Sequence, residues 1–299
     1  MISEVFYWVL NMSIVSTLTF FVVFLISRIK IIPKNIICLI FSIPYLRMII
    51  PFGFSSRFSL ANLFSDYVKI VEVDNSRLSS MNALQFAQSY SPVTYKNVIA
   101  ENVFNIAGII WIIVATALLI FLVYCYVSTI LQLKSAKVYK DNVYFSNSAE
   151  GVAVYGIIKP KIVLPISYKN MDLTYVLAHE KAHIKRLDNL WRILALAVTL
   201  IHWFNPFAWI MLRVFLSRLE LACDEKVIKE IGESNKKKYA LAILKAQESK
   251  RLLPSSFGGS KTRNRINNIL NFKTATIVST ICFVIFAVFI AFILLTNAV

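Results

Sequence analysis

Long apolar stretches with few charges between them dominate the hydrophobic pattern of the chain. Three runs contain no charged residue, and each is long enough to cross a hydrocarbon core of about 30 Å as a helix. They cover residues 5–27, 104–131 and 276–295. A fourth stretch, 36–52, is interrupted by Pro44, Arg47 and Pro51, and predicts a shorter, bent span. The pattern therefore predicts a mainly α-helical integral membrane protein with about four transmembrane helices.

Basic residues are concentrated in one part of the chain. The segment 133–273 holds 24 Lys and Arg against 11 Asp and Glu, whereas the connector 53–103 is balanced in charge. Because positive residues gather on the cytoplasmic side of a membrane, we expect an external loop 53–103 and external termini. The predicted organisation is three spans within 1–132, a cytoplasmic domain 133–273 and a fourth span within 274–299.

The formal net charge of +16 also bears on the binding partners of the chain. In a membrane protein, a basic surface that faces anionic lipid is the commoner source of such charge. We therefore expect contact with membrane lipid and no direct binding of nucleic acid. None of the four cysteines lies in the connector 53–103, so no disulfide framework is predicted.

A further apolar stretch, 190–216, is divided by Asn205 and Pro206. Proline suits the first turn of a helix and asparagine suits the position before it, so we predict that a new helix begins here. The part before this break is too short to cross a bilayer. The stretch therefore predicts a membrane-associated helical hairpin and not a fifth span.

The predicted cytoplasmic domain combines helices with a small β ribbon. We expect the third span to continue as a charged helix through Lys140. In 151–165, β-branched residues punctuated by Gly and Pro predict two short strands, a ribbon that could hold a substrate strand or be merely structural. Asp172 is placed to cap a helix over 173–186.

That helix carries two of the three histidines of the chain, His179 and His183, around Glu180. Residues four apart lie on one helical face, so both imidazoles can bind one Zn²⁺. Glu180 can then act as general base on water. The plainer alternative is a pair of histidines that only pack. The spacing favours the core of a zinc hydrolase.

A catalytic zinc needs a third protein ligand, and the sequence leaves several candidates. We favour Glu220 as ligand, with Asp224 one turn later as an outer partner that hydrogen-bonds a ligand imidazole. Cys223 stays an alternative ligand, and both acids could instead be solvated surface groups. His202 is a further candidate ligand, but a lone histidine in an apolar helix is more often a satisfied core residue; it could also donate a hydrogen bond to an oxyanion.

At these residues the chain resembles the BlaR/MecR-type antirepressor family of integral-membrane zinc metallopeptidases. The matching segments are 47–52, 156–165, 177–183, 202–206 and 220–225. The resemblance implies a gluzincin-like domain with Zn²⁺ on His179, His183 and Glu220 and with Glu180 as base. The family's antibiotic receptors continue after the fourth span into an external penicillin-binding sensor. Because this sequence ends soon after that span, we expect a member without the sensor, the alternative being a truncated product.

The resemblance also implies a function in the membrane of a bacterial cell. The expected substrate is a cytoplasmic protein, a winged-helix transcriptional repressor, cleaved in a response to cell-wall or antibiotic stress. Relatives cut themselves before the last span, which makes the bond between Ser256 and Phe257 a candidate for self-cleavage; a flexible Ser/Gly linker is the alternative there. We also expect that two copies can associate as a homodimer.

Two other functions remain open from the sequence. One is a quality-control or processing metalloprotease, which shares two histidines and a glutamate within a helical membrane protein. The other is a non-catalytic membrane signalling protein with a structural zinc. Glu180 argues against the second, because a structural site has no use for a base.

Overall fold

The computed structural model describes residues 2–29, 31–50, 56–59, 98–132, 135–149, 151–248, 256–273 and 277–296. Its helices are α1 Ile2–Ile26, α2 Lys34–Ile40, α3 Ser42–Ile49, α4 Val98–Gln132, α5 Thr174–Lys185, α6 Asp188–Ile201, α7 Pro206–Ile231, α8 Lys236–Glu248, α9 Ser256–Leu270 and α10 Ile277–Leu295. Its strands are β1 Lys137–Lys140, β2 Val143–Ser146, β3 Ala153–Tyr155 and β4 Lys161–Pro165. The mainly helical class with a small sheet is as predicted.

The chain divides into two compact units. Unit 1 comprises Met1–Leu119, Ala197–Arg213 and Ile277–Val299, and unit 2 comprises Ile120–Leu196 and Val214–Thr276. Helices α4, α6 and α7 each contribute residues to both units.

Three helices among the described residues are long and apolar enough to cross a membrane. They cover Ile2–Ile26, Asn102–Gln132 and Val278–Leu295. Of the expected second span, 36–52, residues 51 and 52 lie outside the described part of the chain, and the rest falls on the short helices α2 and α3, which meet at Phe41. Neither short helix reaches the length of a span, so the count of four stays a prediction.

Hydroxyl groups on α1 form hydrogen bonds with other segments of unit 1. Ser16 Oγ donates to the Pro44 carbonyl oxygen at 2.7 Å, which ties α1 to α3. Asn205 Nδ2 donates to Ser13 Oγ at 2.7 Å and to Thr17 Oγ1 at 2.9 Å. Such bonds satisfy polar groups that would otherwise be costly in an apolar setting.

The predicted break in 190–216 lies between α6 and α7. Pro206 is the first residue of α7, and Asn205 Oδ1 accepts a hydrogen bond from the backbone N–H of Phe207 at 2.9 Å. The capping prediction is confirmed. The break lets α6 and α7 follow one another as separate helices.

Unit 2 contains a four-stranded sheet in the order β1-β2-β4-β3. The predicted ribbon is confirmed as the antiparallel pair β3 and β4, while β2 and β4 are parallel. The expected helical continuation through Lys140 is wrong, because β1 occupies 137–140 and pairs with β2. Asp141 turns the chain between them at φ 48°, a conformation that Asp tolerates better than most residues.

Helix α5 lies between two apolar clusters of unit 2. Val176 on one side of α5 packs with the sheet residues Ile162 and Leu164. Ala182 on another side packs with residues of α7, α8 and α9, including Tyr239 and Ile269. Burial on both sides fixes α5, so its remaining polar side chains have defined positions.

Candidate metal centre

Helix α5 presents His179 and His183 on one buried face. The N-cap position is Leu173 and not Asp172 as predicted, but Asp172 Oδ1 accepts a hydrogen bond from the backbone N–H of Thr174, the first residue of the helix, at 2.9 Å. The two imidazole Nε2 atoms lie 3.1 Å apart, and both residues are buried. The spacing of four has therefore brought two nitrogen donors together, as predicted.

Glu220, from α7, completes a group of three donors. Its Oε2 lies 3.5 Å from His179 Nε2, and its Oε1 lies 3.7 Å from His183 Nε2. Ligand atoms about 2.0–2.1 Å from a tetrahedral metal are themselves about 3.3 Å apart. The observed separations of 3.1–3.7 Å fit that geometry, so two imidazoles and a carboxylate form a suitable donor set.

Cys223 is the competing third ligand, because its Sγ also lies close to both imidazoles. It is 3.6 Å from His179 Nδ1, whereas Glu220 faces the Nε2 atoms of both rings. His179 Nδ1 is engaged by the Tyr239 hydroxyl at 2.8 Å. The geometry thus favours Glu220, and Cys223 packs beside the donor set.

The outer partner of His183 is Asp188, at the start of α6. Its Oδ2 lies 2.7 Å from His183 Nδ1, and Arg186 Nε donates to the same carboxylate at 3.1 Å. Burial alone would lower the pKa of His183, but the hydrogen bond to Asp188 and the interaction with Cys223 together outweigh burial, and the pKa rises to about 9. A carboxylate on Nδ1 orients the ring and makes neutral Nε2 a stronger metal ligand.

The outer partner of His179 is Tyr239, from α8. The Tyr239 hydroxyl donates to Asp224 Oδ1 at 2.6 Å, so it accepts the hydrogen bond from His179 Nδ1–H. Asp224 itself lies 3.5 Å from His179 Nδ1. Asp224 therefore acts on the imidazole through Tyr239, where the sequence had suggested a direct hydrogen bond.

Two arginines converge on Glu220. Arg192 Nη2 donates to Glu220 Oε1 at 2.5 Å, and Arg265 Nη1 lies 3.1 Å from Glu220 Oε2. Burial alone would raise the pKa of Glu220, but the hydrogen bond to His179 and the positive charge of Arg265 lower it well below its usual range. Glu220 is thus held as a carboxylate, the form that binds metal.

Glu180 lies beside the donor set on α5. Its side chain is largely buried, at 8% exposure. Among the residues that the structure describes, no hydrogen bond or ion pair engages its carboxylate. A carboxylate without such partners, directly after a donor histidine on the same helix, suits the role of a base.

The remaining predicted residues lie elsewhere. His202 belongs to unit 1, where it is buried and its Nε2 donates to the Met48 carbonyl oxygen at 3.2 Å. Ser256 and Phe257 form the first turn of α9, and side-chain positions in 256–261 lie outside the described set. The oxyanion role of His202 and the self-cleavage at 256–257 both stay predictions.

Asp188, Tyr239, Arg192 and Arg265 were missed by sequence reasoning. Asp188 left a usable signal, since it follows His183 by five residues, just past the end of α5. The other three come from α6, α8 and α9, and no local spacing relates them to the histidines.

Comparison with known proteins agrees with this site. The family model described as BlaR1 peptidase M56 matches residues 7–271. The chain belongs to this family. Membership indicates a metallopeptidase, and therefore a metal ion, and the apolar helices indicate a membrane protein.

Individual relatives cover less of the chain. It is 33% identical over 132 residues to the regulatory protein BlaR1 of Bacillus licheniformis, which is 41% of this chain and 22% of the relative. It is 29% identical over 105 residues to the methicillin resistance mecR1 protein of Staphylococcus aureus, or 34% and 18%. BlaR1 of Staphylococcus aureus is 25% identical over 209 residues, or 59% and 35%. The matches thus span about a fifth to a third of each relative.

Proposed function

We propose that this chain is a zinc endopeptidase of regulatory signalling, embedded in a bacterial cell membrane, that cleaves a cytoplasmic transcriptional repressor. The observation that carries the proposal is the convergence of His179 Nε2, His183 Nε2 and the Glu220 carboxylate within 3.1–3.7 Å, with Glu180 directly after His179 on α5.

The donor set suits zinc in particular. Two imidazole nitrogens and one carboxylate leave a position open in a tetrahedral site, as catalytic zinc requires. His179, His183 and Glu220 would hold the ion. When bound, Zn²⁺ supplies Lewis acidity at the peptide carbonyl and makes water a stronger acid.

The chain's own residues account for the remaining steps. Glu180 accepts a proton from the attacking water and delivers it to the leaving amine. Asp188 and Tyr239 hold the two imidazoles in the tautomer that leaves Nε2 free. In this mechanism Glu180 transfers the proton, while the imidazoles of His179 and His183 stay in fixed orientations.

The edge strand β3 offers a place for an extended substrate. It is the last strand in the order of the described sheet, the position at which an extended peptide can add to a sheet. Asn189 Nδ2 donates to the Gly156 carbonyl oxygen at 3.0 Å, which links the end of this ribbon to the start of α6. Substrate backbone bound here would run close to α5.

The signalling part of the proposal is supported by the relatives' names, regulatory protein and methicillin resistance protein. The excess of Lys and Arg in 133–273 supports a cytoplasmic peptidase domain, external termini and a multi-pass arrangement. A repressor in the cytoplasm would then reach the metal centre directly.

A proteomic comparison tests the function. Cells that carry the wild type, Glu180→Ala or Lys181→Gln are exposed to cell-wall stress, and new protein N-termini in the cytoplasm are catalogued. Lys181 is exposed on the same helix and provides the matched control. We expect a transcriptional repressor to be cut in wild-type and Lys181→Gln cells only. Cleavage that persists with Glu180→Ala contradicts the proposal, and loss of misfolded membrane proteins instead of a repressor favours quality control.

A further inference from the structure

Arg265 makes an unusual set of contacts for an arginine near a metal site. Its side chain, on α9, is 11% exposed. Its Nε and Nη2 donate to the two oxygens of Asp224 at 2.9 and 2.8 Å. The same guanidinium also contacts two further groups. Its Nη1 lies 3.1 Å from Glu220 Oε2, and its Nη2 lies 3.2 Å from His179 Nε2.

The contacts with Asp224 anchor the arginine. The paired hydrogen bonds are the two-point geometry in which guanidinium and carboxylate bind most firmly. Asp224 also accepts from the Tyr239 hydroxyl and is almost fully buried. Arg265 therefore cannot leave without stranding a buried charge.

The contacts with Glu220 and His179 are of a different kind. They engage the same two atoms that the proposed metal site uses as ligands. A divalent cation held by these atoms meets a positive charge already in contact with them, and like charges repel strongly where water is scarce. Metal and guanidinium therefore compete for one carboxylate.

Arg192 also contacts Glu220, but it is less constrained. Its side chain is 32% exposed and can turn towards solvent when the carboxylate is taken by a metal. Arg265 lacks that freedom, because Asp224 holds it in place. Of the two arginines, Arg265 is the one whose charge stays beside the metal.

We propose that Arg265 is a built-in competitor of the metal ion. Its guanidinium bridges Glu220, His179 and Asp224 and holds these three side chains together. When the metal binds, Arg265 withdraws from Glu220 and His179 and keeps Asp224. The inference rests on the proposed zinc site and adds that metal affinity is held below what the three ligands alone would give.

Zinc affinity of the full chain tests this inference. The purified protein is stripped of metal, and its Kd for Zn²⁺ is measured against a chromophoric chelator for the wild type, Arg265→Gln and Arg263→Gln. Arg263 is an exposed arginine on the same helix and serves as the matched control. We expect Arg265→Gln to bind Zn²⁺ about tenfold more tightly than the wild type, because the competing charge is gone. Its metal-free form should also melt at a lower temperature, while Arg263→Gln matches the wild type.

The opposite result identifies a different role. If Arg265 only supports the ligands, its loss weakens zinc binding by about 10- to 100-fold, as for outer partners of metal ligands. Weaker or unchanged affinity overturns the inference while leaving the zinc site intact. A wild type that binds no Zn²⁺ overturns the proposed function as well.

Two further measurements test the inference if Arg265→Gln does not fold. Arg265→Lys keeps a positive charge for Asp224 but lacks the fork that reaches Glu220, so we expect its zinc affinity to lie between those of the wild type and Arg265→Gln. Structures of the wild type with and without Zn²⁺ report the contact directly. An Arg265–Glu220 contact that persists near 3.1 Å with zinc bound overturns the inference.

Discussion

His183 Nδ1 and Asp188 Oδ2 lie 2.7 Å apart, although the two residues belong to successive helices. Helix α5 ends at Lys185, and Leu187, at φ 56°, turns the chain into α6. The turn brings a buried carboxylate back onto the ring whose Nε2 faces the metal centre. The turn at Leu187 therefore positions the carboxylate that orients His183.

Replacing Asp188 by Asn tests that corner. The amide keeps the size of the side chain but loses the charge that makes the imidazole a strong ligand. We expect zinc affinity to fall about 10- to 100-fold, as measured by chelator competition. Asp172→Asn, the same change at the exposed start of α5, should leave affinity unaltered. Equal affinities for Asp188→Asn and the wild type would show that the carboxylate does not act on the metal.

The third ligand can be decided by two substitutions on α7. Glu220→Gln removes the carboxylate that faces both Nε2 atoms, and Cys223→Ser changes the group that faces His179 Nδ1. We expect the loss of zinc affinity in Glu220→Gln to exceed the roughly 10- to 100-fold typical of outer partners. Cys223→Ser should stay within a few-fold of the wild type. The reverse order, measured with the same chelator, would make Cys223 the ligand.

Glu180→Gln separates metal binding from hydrolysis. Since Glu180 does not join the donor set, we expect the purified variant to hold as much zinc by elemental analysis as the wild type. Peptide hydrolysis should fall by about 10²- to 10⁴-fold, the usual contribution of a positioned acid–base group. Lys181→Gln should retain both properties. Hydrolysis at the wild-type rate in Glu180→Gln would remove this residue from the mechanism.

Asn205 has two structural roles that substitution can separate. Asn205→Ala loses the cap of α7 and the hydrogen bonds to α1, whereas Asn205→Ser keeps a capping oxygen. We expect the alanine variant to lose at least about 1–2 kcal/mol of stability and the serine variant less. Thermal unfolding in one detergent gives the comparison. If both variants melt with the wild type, neither the cap nor the bonds to Ser13 and Thr17 matter to stability.

Sequence reasoning succeeded where the determining interactions are local. His179 and His183 meet because residues four apart on a helix share a face, whatever the rest of the fold does. Asn205 and Pro206 start α7 because both act on backbone within two residues. The β3–β4 ribbon likewise depends on a short loop.

The sequence was insufficient where distant segments decide the outcome. Tyr239 and Arg265 reach the centre only because α8 and α9 pack against α5 and α7, which no spacing encodes. The sequence predicts a charged continuation of the third span through Lys140, yet pairing with β2 makes 137–140 a strand. The break at Phe41 was also unpredicted, since the nearest proline in the apolar run is Pro44.

The first turn of α9 bears on the timing of the predicted self-cleavage. Its Ser256–Phe257 bond lies in helical backbone, whereas proteases bind substrate as extended chain. Scission would then wait for the end of the helix to fray, which costs little because the first N–H groups of a helix have no internal partner. A substitution that stabilises this end of the helix would therefore delay the predicted self-cleavage without touching the metal centre.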